Sequence, residues 1–331
     1  MKILIIGGTG NISAYVVKKC LDRGMDVTIY NRGNHNQHVP KDVEIIIGDI
    51  NDEVETKELF EDKTYDCVCQ FVAFTKDQVE RDVRLFKEKT KQYIFISSAS
   101  AYHKPVEDYP ITEETPLHNP YWGYSRDKIE CEIYLNHVSD LNTTIVRPSH
   151  TYNNHMIMAV MTRWGYEYAH LKRLMDGRPV IIPGDGTSLW TITHSSDFAN
   201  SFVDLIGNKE AYNDVFHITS EKLYTWEQLN HLLAQALGVK PHVVHIPSDF
   251  IVKHMPEMEG PLFGDKTWSA LFDNSKIKSI SQSYTSIVGY EDVVDDVVAY
   301  YQAHKHMQKI SDDYEKLYDR LIERYENHIN Q

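Results

Sequence analysis

"IGGTGNIS", residues 6–13, follows the apolar run "ILII" and opens a stretch whose apolar residues recur at helical spacing. Ile12, Val16, Val17, Cys20 and Leu21 share one face of the predicted helix, which begins at Asn11 and stops at Gly24. A strand, a glycine-rich turn and an amphipathic helix in direct succession are the context that turns a weak glycine pattern into a dinucleotide-binding expectation. Gly7, Gly8 and Gly10 keep the backbone open. With Thr9, Asn11 and Ile12 they present peptide N–H groups and a helix dipole to a pyrophosphate. Counted from either Gly7 or Gly8, the last glycine of the pattern falls on Ser13. That position serves close packing of helix on strand, so its CH2OH predicts a changed helix tilt and one extra hydroxyl rather than lost binding. An ordinary strand-to-helix turn is the competing reading.

Outward from this loop the rhythm continues. "DVTIY", "VEIIIGD", "YDCVCQFVAF" and "QYIFISS" read as strands, separated by helices near 54–60 and 76–89. The alternation predicts an α/β chain: a Rossmann-type, doubly wound parallel sheet. After "TTIVRPS" the pattern loosens, with Pro, Gly and Trp scattered through "DGRPVIIPGDGTSLWTITH". Residues 1–175 are therefore assigned mainly to the dinucleotide-binding domain. Residues 176–305 form a smaller C-terminal substrate lobe, some of whose segments return to the first domain. Residues 306–331 are a terminal amphipathic helix carrying Ile310, Tyr314, Leu317, Leu321 and Tyr325 at helical spacing, seated on its own chain or on a partner.

The 331 residues, 42% of them hydrophobic, suffice for a sizeable core. A net charge of −14 opposes a nucleic-acid backbone or an anionic membrane as the main partner. Cys20, Cys67, Cys69 and Cys131 lack C-x-x-C spacing and read as reduced thiols of a cytoplasmic protein. The first apolar run is too short for a signal segment or a membrane span, and no metal-ligand pattern is present.

Cofactor choice is set at the end of the second strand, "TIYNRGN". Asn31 stands where an acid would bind ribose hydroxyls, and Arg32 offers a guanidinium suited to a 2′-phosphate. This favours NADP(H), with NAD still possible if Arg32 is merely a solvated loop residue. Asp49 and Ile50, ending the third strand, are placed at the adenine or are simple turn residues.

"YWGYSRDKIECEIYL" puts Tyr124 and Lys128 one turn apart on one helix face. A nearby ammonium and a cationic nicotinamide together would lower the tyrosine enough to make it a base. "YIFISSASAY" ends a strand with Ser97, Ser98 and Ser100 at the sheet edge that carries the glycine loop. With these motifs in order, the chain resembles the extended short-chain dehydrogenase/reductase family, the NAD(P)-dependent epimerase/dehydratase group. The resemblance runs from "IGGTGNIS" through "YSRDK" and "IVRPSHTY" to "GDGTSLWTITHSSDFA" and "FDNSKIKSI".

It implies a catalytic Ser98, Tyr124 and Lys128, with Tyr124 following Ser98 by 26 residues. Ser98 would bind the reacting oxygen, Tyr124 exchange its proton, and Lys128 hold the nicotinamide ribose and depress the tyrosine pKa, with Ser97 and Ser100 as substitutes for Ser98. It also implies that Phe71, Val72 and Ala73 line the cofactor cleft and that Pro148, Ser149, His150 and Thr151 meet the nicotinamide end. His150 reads as a pocket wall or hydrogen-bond donor rather than a metal ligand.

Dehydrating members carry an Asp-Glu pair after the serine or threonine. Here Ala99 and Ser100 stand instead, which disfavours 4,6-dehydration and leaves an epimerase or a reductase. An arginine common to sugar-nucleotide members is replaced around Leu189, Trp190 and Thr191, unless Arg163, Arg173 or Arg178 substitutes. Trp190 either stacks on a ligand ring or packs in the core. The substrate is then a sugar nucleotide or a smaller carbonyl or polyol, and the resemblance implies a homodimer through the helix bearing Tyr124. The alternative is a non-catalytic NADP(H)-binding sensor or RNA-binding protein on the same fold.

Overall fold

The computed structural model describes residues 1–330. Strand β1 (Lys2–Ile6) leads through the glycine loop into helix α1 (Ser13–Asp22), followed by β2 (Asp26–Asn31), β3 (Glu44–Ile47), α2 (Glu53–Leu59), β4 (Cys67–Gln70), α3 (Lys76–Phe86) and β5 (Tyr93–Ile96). Then come α4 (Gly123–Asn136), β6 (Thr143–Pro148), β7 (His150–Tyr152), α5 (Tyr168–Met175), β8 (Pro179–Pro183), β9 (Leu189–His194), α6 (Ser195–Leu205) and β10 (Asp214–Ile218). The remainder includes β11 (Leu223–Thr225), α7 (Trp226–Ala236), β12 (His242–Ile246), α8 (Ser248–His254) and a terminal helix, Asp312–Ile329.

Seven strands make one parallel sheet in the order β10-β6-β5-β4-β1-β2-β3. The period of two along β1 explains why both faces are covered. Ile3 and Ile5 join a core with Val16, Val17 and Cys20 of α1 and Phe198 and Phe202 of α6. Leu4 and Ile6 face Val79, Val83 and Phe86 of α3 and Cys131 and Leu135 of α4. The chain reverses direction across the sheet between β1 and β4, and a crevice opens at that switch point beyond their carboxyl ends.

Residues 214–218, within the stretch assigned mainly to the second lobe, return to this sheet: β10 pairs with β6, Asp214 opposite Thr144 through Ile218 opposite Pro148. Helix α1 starts at Ser13, two residues later than Asn11. Strand β4 ends at Gln70, whose buried carboxamide accepts from Val72 N at 2.7 Å and donates to Asp82, turning residues 71–74 out of the sheet.

The second lobe has its own core around Ile181, Trp190, Trp226, Leu229, Ile246 and Leu262, beneath small sheets ordered β11-β9-β7 and β12-β8. The terminal helix docks on that core through Tyr318, Leu321 and Ile322, whereas Ile310 lies before it and is exposed. Arg173 and Arg178 both pair with Glu315 and Asp319 of this helix. Among the described residues no helix is long and apolar enough to cross a membrane.

Candidate active site

The glycine loop takes the conformation its residues permit. Gly7 and Gly8 have φ of 108° and 80°, and a Cβ on Gly8 would lie 2.7 Å from Ile29 Cγ2. Gly7 N donates to Tyr30 O at 2.9 Å, which locks the turn to β2. The Ser13 hydroxyl folds back and accepts from Gly10 N at 2.9 Å, taking up one loop amide. Asn11 faces sideways: it donates to Thr151 O at 2.7 Å and accepts from Ser195 Oγ at 3.2 Å, so it fastens the loop to β7 and α6. Ile12 packs partly into the core beneath.

Beside the loop lies a cleft of about 360 Å³, bordered by Gly7, Thr9, Asn31, Arg32, Asp49 and Ile50, with Val72 and Phe74 on the far wall. Asn31 is occupied internally, accepting from Gly33 N at 2.8 Å and donating to Asn36 Oδ1 at 2.8 Å. Asp49 likewise caps its own turn, accepting from Asn51 N at 3.0 Å. Arg32 is exposed and has no ion-pair partner among the described residues. A dinucleotide fits this cradle: the positive-φ glycines leave room for phosphates, and the cleft offers an unpaired guanidinium. Of the three residues assigned to the far wall, only Val72 lines it. Phe71 turns to Phe202, with ring centroids 5.5 Å apart, and Ala73 is buried with its carbonyl engaged by Lys128.

A second cavity, of about 330 Å³, is lined by Ser98, Ser100 and Tyr124 together with Pro148, Ser149 and His150. Ser98 Oγ lies 2.9 Å from Ser100 Oγ, which also receives Ser125 Oγ at 2.8 Å. Ser97 cannot substitute for Ser98, because it is buried and donates to Glu132 instead. Helix α4 places Tyr124 above Lys128, whose Nζ is 5.9 Å from the tyrosine ring centre. That Nζ donates to the carbonyls of Ala73 and Ile96, both at 2.7 Å, and sits 4.7 Å from the Phe74 and Phe95 ring centres. Burial pushes Lys128 down to about 8.

Tyr124 is pushed away from basicity by its protein surroundings. Burial pushes it up, and the Ser98 hydroxyl pulls it back only in part, so the protein alone does not make it a base at neutral pH. His150 is a wall of the cavity, held neutral because desolvation and the neighbouring Lys266 cation push it down to about 3. Thr151 is buried behind this wall, its carbonyl taken by Asn11. Trp190 packs in the core, buried against Trp226 with centroids 5.0 Å apart, and also lines the cavity.

None of the three arginines offered for a diphosphate lines this cavity. Arg173 and Arg178 are tied to the terminal helix, and Arg163 donates to Ser311 Oγ at 3.0 Å. The cavity instead contains Lys104, Trp122, Trp164, Asp265 and Lys266, which sequence reading missed. Trp122, two residues before Tyr124, was the one findable by proximity. The others arrive from segments with no motif of their own.

The fold is a Rossmann-type α/β sheet with two clefts at the carboxyl ends of its strands. The model of the NAD dependent epimerase/dehydratase family matches residues 3–218, and the chain belongs to that family. It is 28% identical over 264 residues to the chloroplast stem-loop binding protein of 41 kDa b of Arabidopsis thaliana, covering 75% of this chain and 67% of the relative. It is 22% identical over 288 residues to 2'-dehydrokanamycin reductase of Streptomyces kanamyceticus, covering 86% and 80%. Among solved structures, UDP-glucose 4-epimerase from Thermotoga maritima, determined with UDP-glucose, superposes with a TM-score of 0.69 at 22% identity, over 92% of this chain and 100% of that one.

Proposed function

We propose that the protein is an oxidoreductase that transfers a hydride at a carbinol or carbonyl carbon, prefers NADP(H), and works through Ser98, Tyr124 and Lys128. The observation that carries this reading is the meeting of Ser98 and Tyr124 in one cavity, with buried Lys128 one turn below the tyrosine, beside the glycine-loop cleft. A bound nicotinamide would supply the hydride donor or acceptor.

Ser98 would hydrogen-bond the reacting oxygen and Tyr124 would exchange its proton. The upward push on Tyr124 suits the reducing direction, in which a neutral phenol donates a proton to the forming alkoxide. Lys128 has three N–H donors and commits two to backbone carbonyls, which leaves one for a ribose hydroxyl. Arg32, with no carboxylate partner, supports the NADP(H) preference. Asp265 is the one carboxylate among the described cavity residues and pairs with Lys266 at 3.0 Å, so the acid pair required for 4,6-dehydration has no counterpart.

Tyr124→Phe is expected to lower turnover at least ~100-fold while leaving NADPH binding within about twofold. Unchanged turnover removes the mechanism. Native mass spectrometry of the purified protein separates the two outcomes of the chemistry: retained NAD+ marks an epimerase, whereas an empty site that titrates more tightly with NADPH than with NADH marks a reductase.

The Arabidopsis relative's name favours one second reading, an RNA-binding protein on this fold. The net charge of −14 opposes it. Saturable NADPH binding with no carbonyl turnover, together with salt-sensitive RNA binding, would establish it over the enzyme. Four buried, unpaired cysteines support a cytoplasmic setting, and exposed Ile133 on α4 supports a homodimer through that helix.

A further inference from the structure

The cavity beside Tyr124 contains a charge arrangement that hydride transfer does not require. Lys104 lines it while only 5% exposed, held in place because its backbone N donates to His118 O at 2.9 Å and that of His103 to Pro116 O at 2.8 Å. The hydrogen bond recorded for its ammonium is a long one, 3.4 Å to the Tyr102 carbonyl two residues away. Lys266 enters from the opposite segment, between the indole rings of Trp122 and Trp190 at 5.8 and 5.7 Å from their centres.

Against two ammonium groups the cavity sets one carboxylate, Asp265, already paired with Lys266. Buried charges and donors without partners carry a desolvation cost, and a ligand oxygen that accepts from them removes it. The surplus is a single positive charge in a protein of net charge −14, which suits one compact anion and not a polyanion.

We infer that Lys104 and Lys266 form an oxyanion-binding subsite, so that the substrate of the proposed hydride transfer is a compact molecule bearing a carboxylate or phosphate monoester. This rests on the assignment of the cavity as the substrate site. Burial already pulls the Lys104 pKa down, and a bound anion restores its charged form.

The test is titration of the NADP+-saturated protein, followed by tryptophan fluorescence at constant ionic strength, with inorganic phosphate, acetate and uncharged glycerol. The wild type is expected to respond saturably to one of the anions and not to glycerol. Tighter phosphate binding identifies a phosphate monoester, and tighter acetate binding identifies a carboxylate. Lys104→Met and Lys266→Met should each weaken that response at least tenfold while NADP+ affinity is retained, which also shows that the variants fold.

No saturable response to either anion, or a response unchanged in both variants, overturns the subsite. Because the readout is binding, it stays separate from catalysis. Turnover of neutral carbonyls with no anion response sinks the subsite alone, whereas a lysine-dependent anion response without any hydride transfer sinks the oxidoreductase reading.

Discussion

The glycine-loop cleft and the cavity beside Tyr124 adjoin each other at the strand ends, yet they are built by opposite means. The first is made of backbone. Its glycines set the curvature, and its polar side chains Ser13, Asn31 and Asp49 are used up within their own turns, leaving Arg32 free. The second is made of side chains from distant segments, with Lys104, Tyr124, His150, Trp190 and Lys266 meeting only in the fold. A backbone site tolerates side-chain change except where a Cβ intrudes, whereas a side-chain site changes ligand with each substitution.

The sharpest challenge to that contrast is Lys128, a buried side chain that donates to the carbonyls of Ala73 and Ile96 beneath Tyr124. Its folded pKa of about 8 lies below the ordinary lysine value, so the unfolded chain binds more protons between roughly pH 8 and 10.4. Wild-type stability should therefore rise with pH across this window relative to Lys128→Met, by on the order of 3 kcal/mol. The buried thiols of Cys20 and Cys69 act in the opposite sense in both proteins and cancel in the difference, whereas Cys131, which the Lys128 ammonium pulls down, subtracts from it. Urea unfolding at pH 8 and pH 10 measures it, and parallel behaviour of the two proteins would refute the buried charge.

Gly8→Ala tests the backbone cleft: with φ of 80° and Ile29 Cγ2 2.7 Å from the new Cβ, it should cost about 1–3 kcal/mol in thermal or urea unfolding. It should also weaken NADPH binding at least ~10-fold, since the loop must move to admit the methyl group. Arg32→Ala, an exposed change, should leave stability intact and weaken NADPH about tenfold with little effect on NADH. Equal losses for both cofactors would remove the 2′-phosphate assignment. The smallest effect belongs to Ser13→Gly, which frees the Gly10 amide and should shift NADPH affinity by less than about 1 kcal/mol. A larger loss would mean that the serine hydroxyl itself holds phosphate.

The same contrast explains what the sequence disclosed. The glycine loop, the alternating α/β rhythm of the first domain and the Tyr124–Lys128 pair depend on neighbours a few residues away, and periodicity reports such neighbours directly. Lys104 gave no signal, since its burial follows from pairing with residues 116–118 and from the later segment that closes over it. Phe71 and Ala73 were placed one contact out because Gln70, fully buried, bends the chain where a straight strand was expected. The Tyr124 shift went unforeseen because desolvation depends on every segment around the ring and not on the lysine four residues ahead.

Asn11 carries a consequence for the order in which the molecule is made. The glycine loop lies within the first dozen residues, but its flank is secured by Thr151 and Ser195, and the sheet is completed only when β10 joins β6. During synthesis the loop emerges from the ribosome long before the partners of its side chain exist. The dinucleotide cradle, the most local feature of the sequence, thus gains its flanking fastening late, and a nascent chain that ends before Ser195 lacks the Asn11–Ser195 bond.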